Sequence, residues 1–211
     1  MAKPVEFWFD FASPYSFIAA HRLLSTSVAE GLEINWQPFL VGVVLSRKTK
    51  GLSNTQLVTE AEAAYRRHDV KRTCDELGIP LRWPSNYPRG SMLAGRIAFG
   101  AIGETWLEPF VGSVFAANFL HDRDIGSEAV IADILKGLDM DPVSTIASAT
   151  TDAAKAAFRD HVEHAITRGV FGAPMFAVDN ELFWGNDRLE QAAAWAAGRR
   201  PAMTQNAGPA S

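Results

Sequence analysis

The chain has 211 residues, 47% hydrophobic and 21% charged, a balance that suits a packed globular core and excludes a disordered or fibrous chain. A net charge of −4, with no extended basic run, argues against a surface that reads nucleic-acid phosphates. No window approaches the roughly 20 apolar residues of a membrane helix, residues 1–4 carry no leader pattern, and the lone Cys74 cannot close an internal disulfide, so a soluble, cytoplasmic protein is expected.

Residues 5–11 (VEFWFDF) are aromatic, β-branched and short, the composition of a buried strand. Ser13-Pro14 follows, a favoured N-cap residue ahead of proline at the first helical position. Phe17, Ile18, Ala20, Leu23 and Leu24 then recur at helical spacing. Gly31 closes the segment, and residues 32–38 (LEINWQP) alternate as a second strand. The result is β-α-β, a unit that makes a parallel pair through a right-handed crossover.

The middle is helical in pattern. Helices are expected over 56–77, 91–102, 106–120, 128–138 and 152–167, with breaks at 78–80, 84–90, 122–126 and Asp141-Pro142. That stretch is too long for a simple crossover. Strand signals return over 175–178 and 182–184, around Asp179-Asn180-Glu181 as a hairpin turn. Gly185-Asn186-Asp187 then supplies turn and cap residues for a last helix over 188–197. That order is the one an α/β chain with a thioredoxin-like fold and a helical insertion has, and such a fold is expected. Residues 1–45 and 168–198 are expected to form the thioredoxin-like domain and 46–167 a large all-helical insertion, and 199–211 read as a disordered tail.

Three places could carry chemistry. Ser13 lies between a strand end and a helix start, beside free backbone N–H groups that favour an anion such as a thiolate. Simple helix capping remains open for it. Ser16 completes S-P-Y-S, the spacing of C-x-x-C with both sulfurs replaced, so any thiol must come from a bound molecule. Pro174 follows the turn-like Phe171-Gly172-Ala173, where a thioredoxin fold keeps a cis-proline against the active-site helix. Since only about 5–6% of X–Pro bonds are cis, local sequence leaves the isomer open. The Ala173 backbone beside it could pair with a peptide-like ligand in strand fashion. Asn186 and Asp187 are ordinary caps, or else a site for the carboxylate and ammonium of a γ-glutamyl group.

The remaining candidates are weaker. Glu163 lies between His161 and His164 on an expected helix, and the group reads as a solvated face with no metal role. Cys74 reads as structural. Arg47, Lys48 and Lys50 form a short charged run. Trp83, Asn86 and Tyr87 could line an aromatic pocket or simply edge the core.

Taken together, FDFASPYSF, GIPLRWPSNY and GVFGAPMFAVDNELFWGNDRLE resemble the 2-hydroxychromene-2-carboxylate isomerases, a DsbA-like family related to kappa-class glutathione transferases. The resemblance implies a homodimer that takes glutathione as cofactor and a small aromatic substrate. It assigns Ser13 to the glutathione thiolate, Ala173 and Pro174 to the cysteinyl unit, Asn186 and Asp187 to the γ-glutamyl end, and Asn86 and Tyr87 to the substrate. Two positions depart from the family pattern. Met175 follows the proline where threonine is usual, and Glu62 stands where relatives place a glutathione-contacting lysine. Arg47, Lys48 or Lys50 are then the expected replacements for that cation.

Overall fold

The computed structural model of the chain describes residues 2–25, 30–48 and 58–199. The expected tail beyond Arg199, Lys50, and the first residues of the expected 56–77 helix lie outside the described residues.

Strand β1 (Val5–Phe9) pairs in parallel with β2 (Ile34–Pro38), Phe7 opposite Trp36, and the two are joined through α1 (Pro14–Ser25). On its other side β1 runs antiparallel to β3 (Met175–Val178), Phe7 opposite Phe176, and β3 pairs antiparallel with β4 (Glu181–Trp184). The sheet order is therefore β2-β1-β3-β4. Val178 lies opposite Glu181, so the hairpin turn is Asp179-Asn180 alone and Glu181 already belongs to β4. Asp179 takes φ +53°, a left-handed conformation that a short polar side chain tolerates.

The alternation of β1 distributes its side chains between two cores. Val5, Phe7 and Phe9 face the α1 side, and Trp8 faces the other. On the α1 side Phe17 stacks on Phe119 with ring centroids 5.1 Å apart, and Phe11 meets Phe115 at 5.0 Å. Phe119 and Phe115 come from the middle of the chain, so the helical stretch and the strands share one hydrophobic interior.

That stretch holds α2 (Val41–Lys48), α3 (Glu60–Leu77), α4 (Met92–Gly100), α5 (Leu107–Phe119), α6 (Glu128–Gly137), α7 (Pro142–Thr150) and α8 (Asp152–Thr167). After β4 a short 3-10 turn (Asn186–Arg188) leads into α9 (Leu189–Ala196). Two helices go beyond the sequence expectation. At α7, Asp141-Pro142 is a helix start rather than a break: the Asp141 carboxylate accepts the Val143 and Ser144 N–H groups, and Pro142 fills the first turn. At α2 the first N–H, that of Val41, is received by the side chain of Asp10, 31 residues upstream. No described helix is long and apolar enough to cross a membrane.

His161 corrects the expectation of a solvated histidine face. Its ring lies 5.1 Å from Trp8 and 4.6 Å from Phe99, and its Nε2 finds no partner. His164 is exposed, tilted 6.1 Å from Trp8. Among the described residues no cluster of histidine, cysteine or acid is placed to hold a metal. Burial lowers the His161 pKa from 6.5 to about 4. Between those values the unfolded chain binds a proton that the folded chain refuses, so the contribution of His161 is full above pH 6.5 and is lost as pH falls toward 4. Allowing for its partial exposure, a loss of roughly 2 kcal/mol is expected. Denaturant titrations of wild type and His161→Phe at pH 7 and 4.5 check this; parallel losses in the two proteins would clear His161 of the effect.

Candidate active site

The turn after β1 places Ser13. Its N–H donates to the Asp10 carbonyl at 2.9 Å, and its own carbonyl receives the Phe17 N–H at 3.0 Å, which opens α1. The side-chain oxygen accepts the Ser16 N–H at 3.2 Å, so the capping role is realised. The same oxygen donates its proton to the Ala173 carbonyl at 3.0 Å, across 160 positions of chain. The Ala173–Pro174 peptide is cis, and the Pro174 carbonyl accepts the Gly185 N–H at 3.1 Å. Ser16 points inward, fully buried, and takes the Asp10 N–H at 3.4 Å. The two serines of S-P-Y-S thus differ: Ser13 faces a cavity and Ser16 fastens the turn.

Asp10 is the residue that sequence reasoning missed. Its buried carboxylate accepts the Ala12 N–H and the Val41 N–H, each at 2.9 Å, and the Ser91 hydroxyl at 2.6 Å. It therefore joins the serine turn to the starts of α2 and α4. Burial raises its pKa above the ordinary carboxylate value, against the pull of those three donors. The sequence carries only a weak signal for it, an acid ending an otherwise apolar strand.

These elements wall a cavity of about 910 Å³ that contains Ser13, Ala173, Trp83, Asn86 and Tyr87 together. Its lining includes Phe171 and Trp184, rings 5.0 Å apart, and both are exposed. The Trp184 indole lies over Gly172, where a Cβ would come within 2.5 Å of its Nε1. Also in the lining, Trp83 and Tyr87 have ring centroids 4.9 Å apart, and the Tyr87–Pro88 peptide is also cis. This loop is held from behind by buried Arg89. The Arg89 guanidinium donates to the carbonyls of Asn118 and Arg123, at 3.3 and 2.9 Å, and to the Asp122 carboxylate. Asp122 also receives the Ser85 N–H at 2.8 Å, and this with Arg89 holds its pKa down to about 2.

The other expected residues lie elsewhere. Pro174 is buried behind the cavity wall. Asn186 and Asp187 follow Trp184, past the cavity's lining. Asn186 is buried, its carbonyl accepting from Arg22 at 2.9 Å, while Asp187 is exposed. Arg47 is engaged with Glu163 and does not line the cavity. The side chains of Lys48 and Lys50 lie outside the described residues. Glu62 also turns away: its carboxylate caps α3, accepting the Thr59 N–H at 2.8 Å. Cys74 is buried in α3, and burial pushes its thiol up to about 11.

A helix start, a serine hydroxyl and a main-chain carbonyl beside a cis-proline, without a cysteine, can hold a thiolate but cannot exchange a disulfide. A DsbA-like thioredoxin domain matches residues 4–195, and the chain belongs to that family. Within it, the chain is 32% identical over 186 residues to the 2-hydroxychromene-2-carboxylate isomerase of Pseudomonas sp. (strain C18), covering 88% of this chain and 86% of that protein. A solved structure of a 2-hydroxychromene-2-carboxylate isomerase superposes with a TM-score of 0.81 at 30% identity, over 92% of this chain and 94% of that one. The glutathione S-transferase kappa 2 of Caenorhabditis elegans is 24% identical over 90% of each chain.

Proposed function

We propose that the protein is a glutathione-dependent cis–trans isomerase acting on 2-hydroxychromene-2-carboxylate, or a similar intermediate of aromatic breakdown, to give trans-o-hydroxybenzylidenepyruvate. The observation that carries this reading is Ser13, set at a helix start on the wall of an aromatic-lined cavity with no thiol of its own. Similarity to named isomerases over most of the chain supports it. Glutathione, when bound, supplies a thiolate that adds reversibly to the conjugated double bond, leaving a single bond free to rotate.

The residues present suit that group. Ser13 has one hydroxyl proton, which it donates to the Ala173 carbonyl. Turned into the cavity, that proton becomes a donor to the thiolate. The same turn releases the Ala173 carbonyl to accept an amide N–H from a peptide-like ligand. Beyond Gly185, whose N–H is tied to Pro174, the Asn186 and Asp187 turn would receive the γ-glutamyl end. Asn86 and Tyr87 would face the aromatic ring. The family resemblance adds a homodimer and a cytoplasmic setting to the proposal.

The test follows the ultraviolet spectrum of 2-hydroxychromene-2-carboxylate with purified protein, with and without glutathione. Conversion only with glutathione is the expected result, and no conversion on folded protein removes the isomerase reading. Similarity to a kappa-class transferase favours a second reading, conjugation of glutathione to an electrophile. Mass spectrometry separates the two, since conjugation leaves a stable thioether and isomerisation returns free glutathione.

A further inference from the structure

The α3 wall of the cavity carries charge that the mechanism above leaves unused. Arg66 and Arg67 both line it, Arg66 half-buried and Arg67 exposed. Among the described residues neither guanidinium forms a direct ion pair, although the Arg66 charge is felt at Glu62, one turn earlier on α3. Glu62 caps Thr59. Asp69 accepts the Tyr15 hydroxyl at 2.8 Å and pairs with Arg72 at 3.0 Å. Asp10 holds three donors of its own. The third arginine of the lining, Arg89, pairs with Asp122 and donates its terminal N–H groups to main-chain carbonyls, leaving its Nε unpartnered among the described residues. A half-buried cation with no direct ion pair gains from a ligand that brings an opposite charge into contact with it.

Arg66 also shares the cavity with its aromatic lining, Trp83 and Tyr87. The Arg66 charge pulls the Tyr87 pKa down. Its charge is felt at Tyr15 too, two residues from Ser13. Burial raises the Tyr87 pKa and Arg66 pulls the other way, with burial the larger effect, so the phenol keeps its proton. A phenol that keeps its proton has it to give to a ligand.

We infer that Arg66 and Tyr87 together form the carboxylate-reading element of this cavity, with Arg67 beside them in its lining. The guanidinium offers parallel N–H donors that match a carboxylate, and the phenol adds a third donor. This deepens the proposed function and rests on it only for the identity of the carboxylate. Two sources carry that group: the aromatic 2-oxo acid and the glycyl end of glutathione. Sequence alone would not single out Arg66, since Arg66, Arg67 and His68 are adjacent and only the packing of α3 decides which faces inward.

Calorimetric titration with matched pairs of probes tests the inference. The first pair is trans-benzylidenepyruvate and its primary amide; the second is glutathione and its C-terminal glycinamide. For one pair, wild type is expected to bind the acid about tenfold or more tightly than the amide. In Arg66→Leu that preference should fall to near unity, in Arg66→Lys it should be partly kept, and in Arg67→Leu largely kept. Thermal melts confirm that the variants fold. Loss confined to the first pair assigns the site to the aromatic acid, and loss confined to the second assigns it to glutathione. Acid and amide binding alike in wild type, or a preference that survives Arg66→Leu in both pairs, overturns the inference. Turnover is measured on the same wild-type preparation. Its absence beside a collapsed preference would sink the isomerase reading and leave the carboxylate site standing.

Discussion

Ser13→Ala is expected to lower glutathione-dependent turnover by about two to three orders of magnitude, the usual effect of removing a donor aimed at the reacting anion. The variant also loses the Ser16 cap, worth about 1 kcal/mol of stability. That is too little to unfold the protein, so the two effects can be separated. The diagnostic measurement is the ionisation of the bound thiol, followed by thiolate absorbance against pH. The thiol pKa should rise by about one unit or more, because each unit corresponds to some 1.4 kcal/mol of lost preference for the anion. The helix N–H groups remain in the variant, so residual turnover should stay above that without enzyme. An unchanged pH–rate profile would remove Ser13 from the mechanism.

Asp10→Ala should have the largest effect on stability. The change strands two backbone N–H groups and one hydroxyl that the carboxylate now receives in the interior. Each unsatisfied buried donor costs about 1–3 kcal/mol, so a loss of roughly 3–5 kcal/mol is expected. For a chain of this size that lowers the melting temperature by about 10 °C. Asp10→Asn keeps the volume but presents an amide N–H to donors, and should fall between the two. A melting temperature within a degree or two of wild type in Asp10→Ala would show that Asp10 does not bind the serine turn to α2 and α4.

How far the sequence reaches follows from where each device is encoded. The β-α-β start, the hairpin and most helices are legible because their signals are local: apolar periodicity, Ser13-Pro14, and Gly78 after α3. The cis form of Ala173–Pro174 comes from its place in the chain, and its pairing with Ser13 from the topology. Helix α2 is not legible, because Asp10, rather than a neighbour, caps Val41. Nor is the fixed shape of the Tyr87 loop, which Arg89 and Asp122 impose from behind. Glu62 falls at a site position only by counting along the chain, whereas its carboxylate serves the capping box of its own helix. His161 misleads for a related reason: three-residue spacing says nothing of whether a ring meets water or Trp8.

The position of β1 in the sheet bears on how the chain is made. β1 lies inside the sheet, yet one of its two neighbours, β3, is synthesised about 170 residues after it. At 5–20 residues per second, its second edge stays open on the ribosome for on the order of ten seconds. Throughout that time a nascent chain displays VEFWF with a row of unanswered N–H and C=O groups, the template on which strands from other chains add. Messages truncated before Met175 should therefore yield aggregates or chaperone clients rather than a stable half-protein.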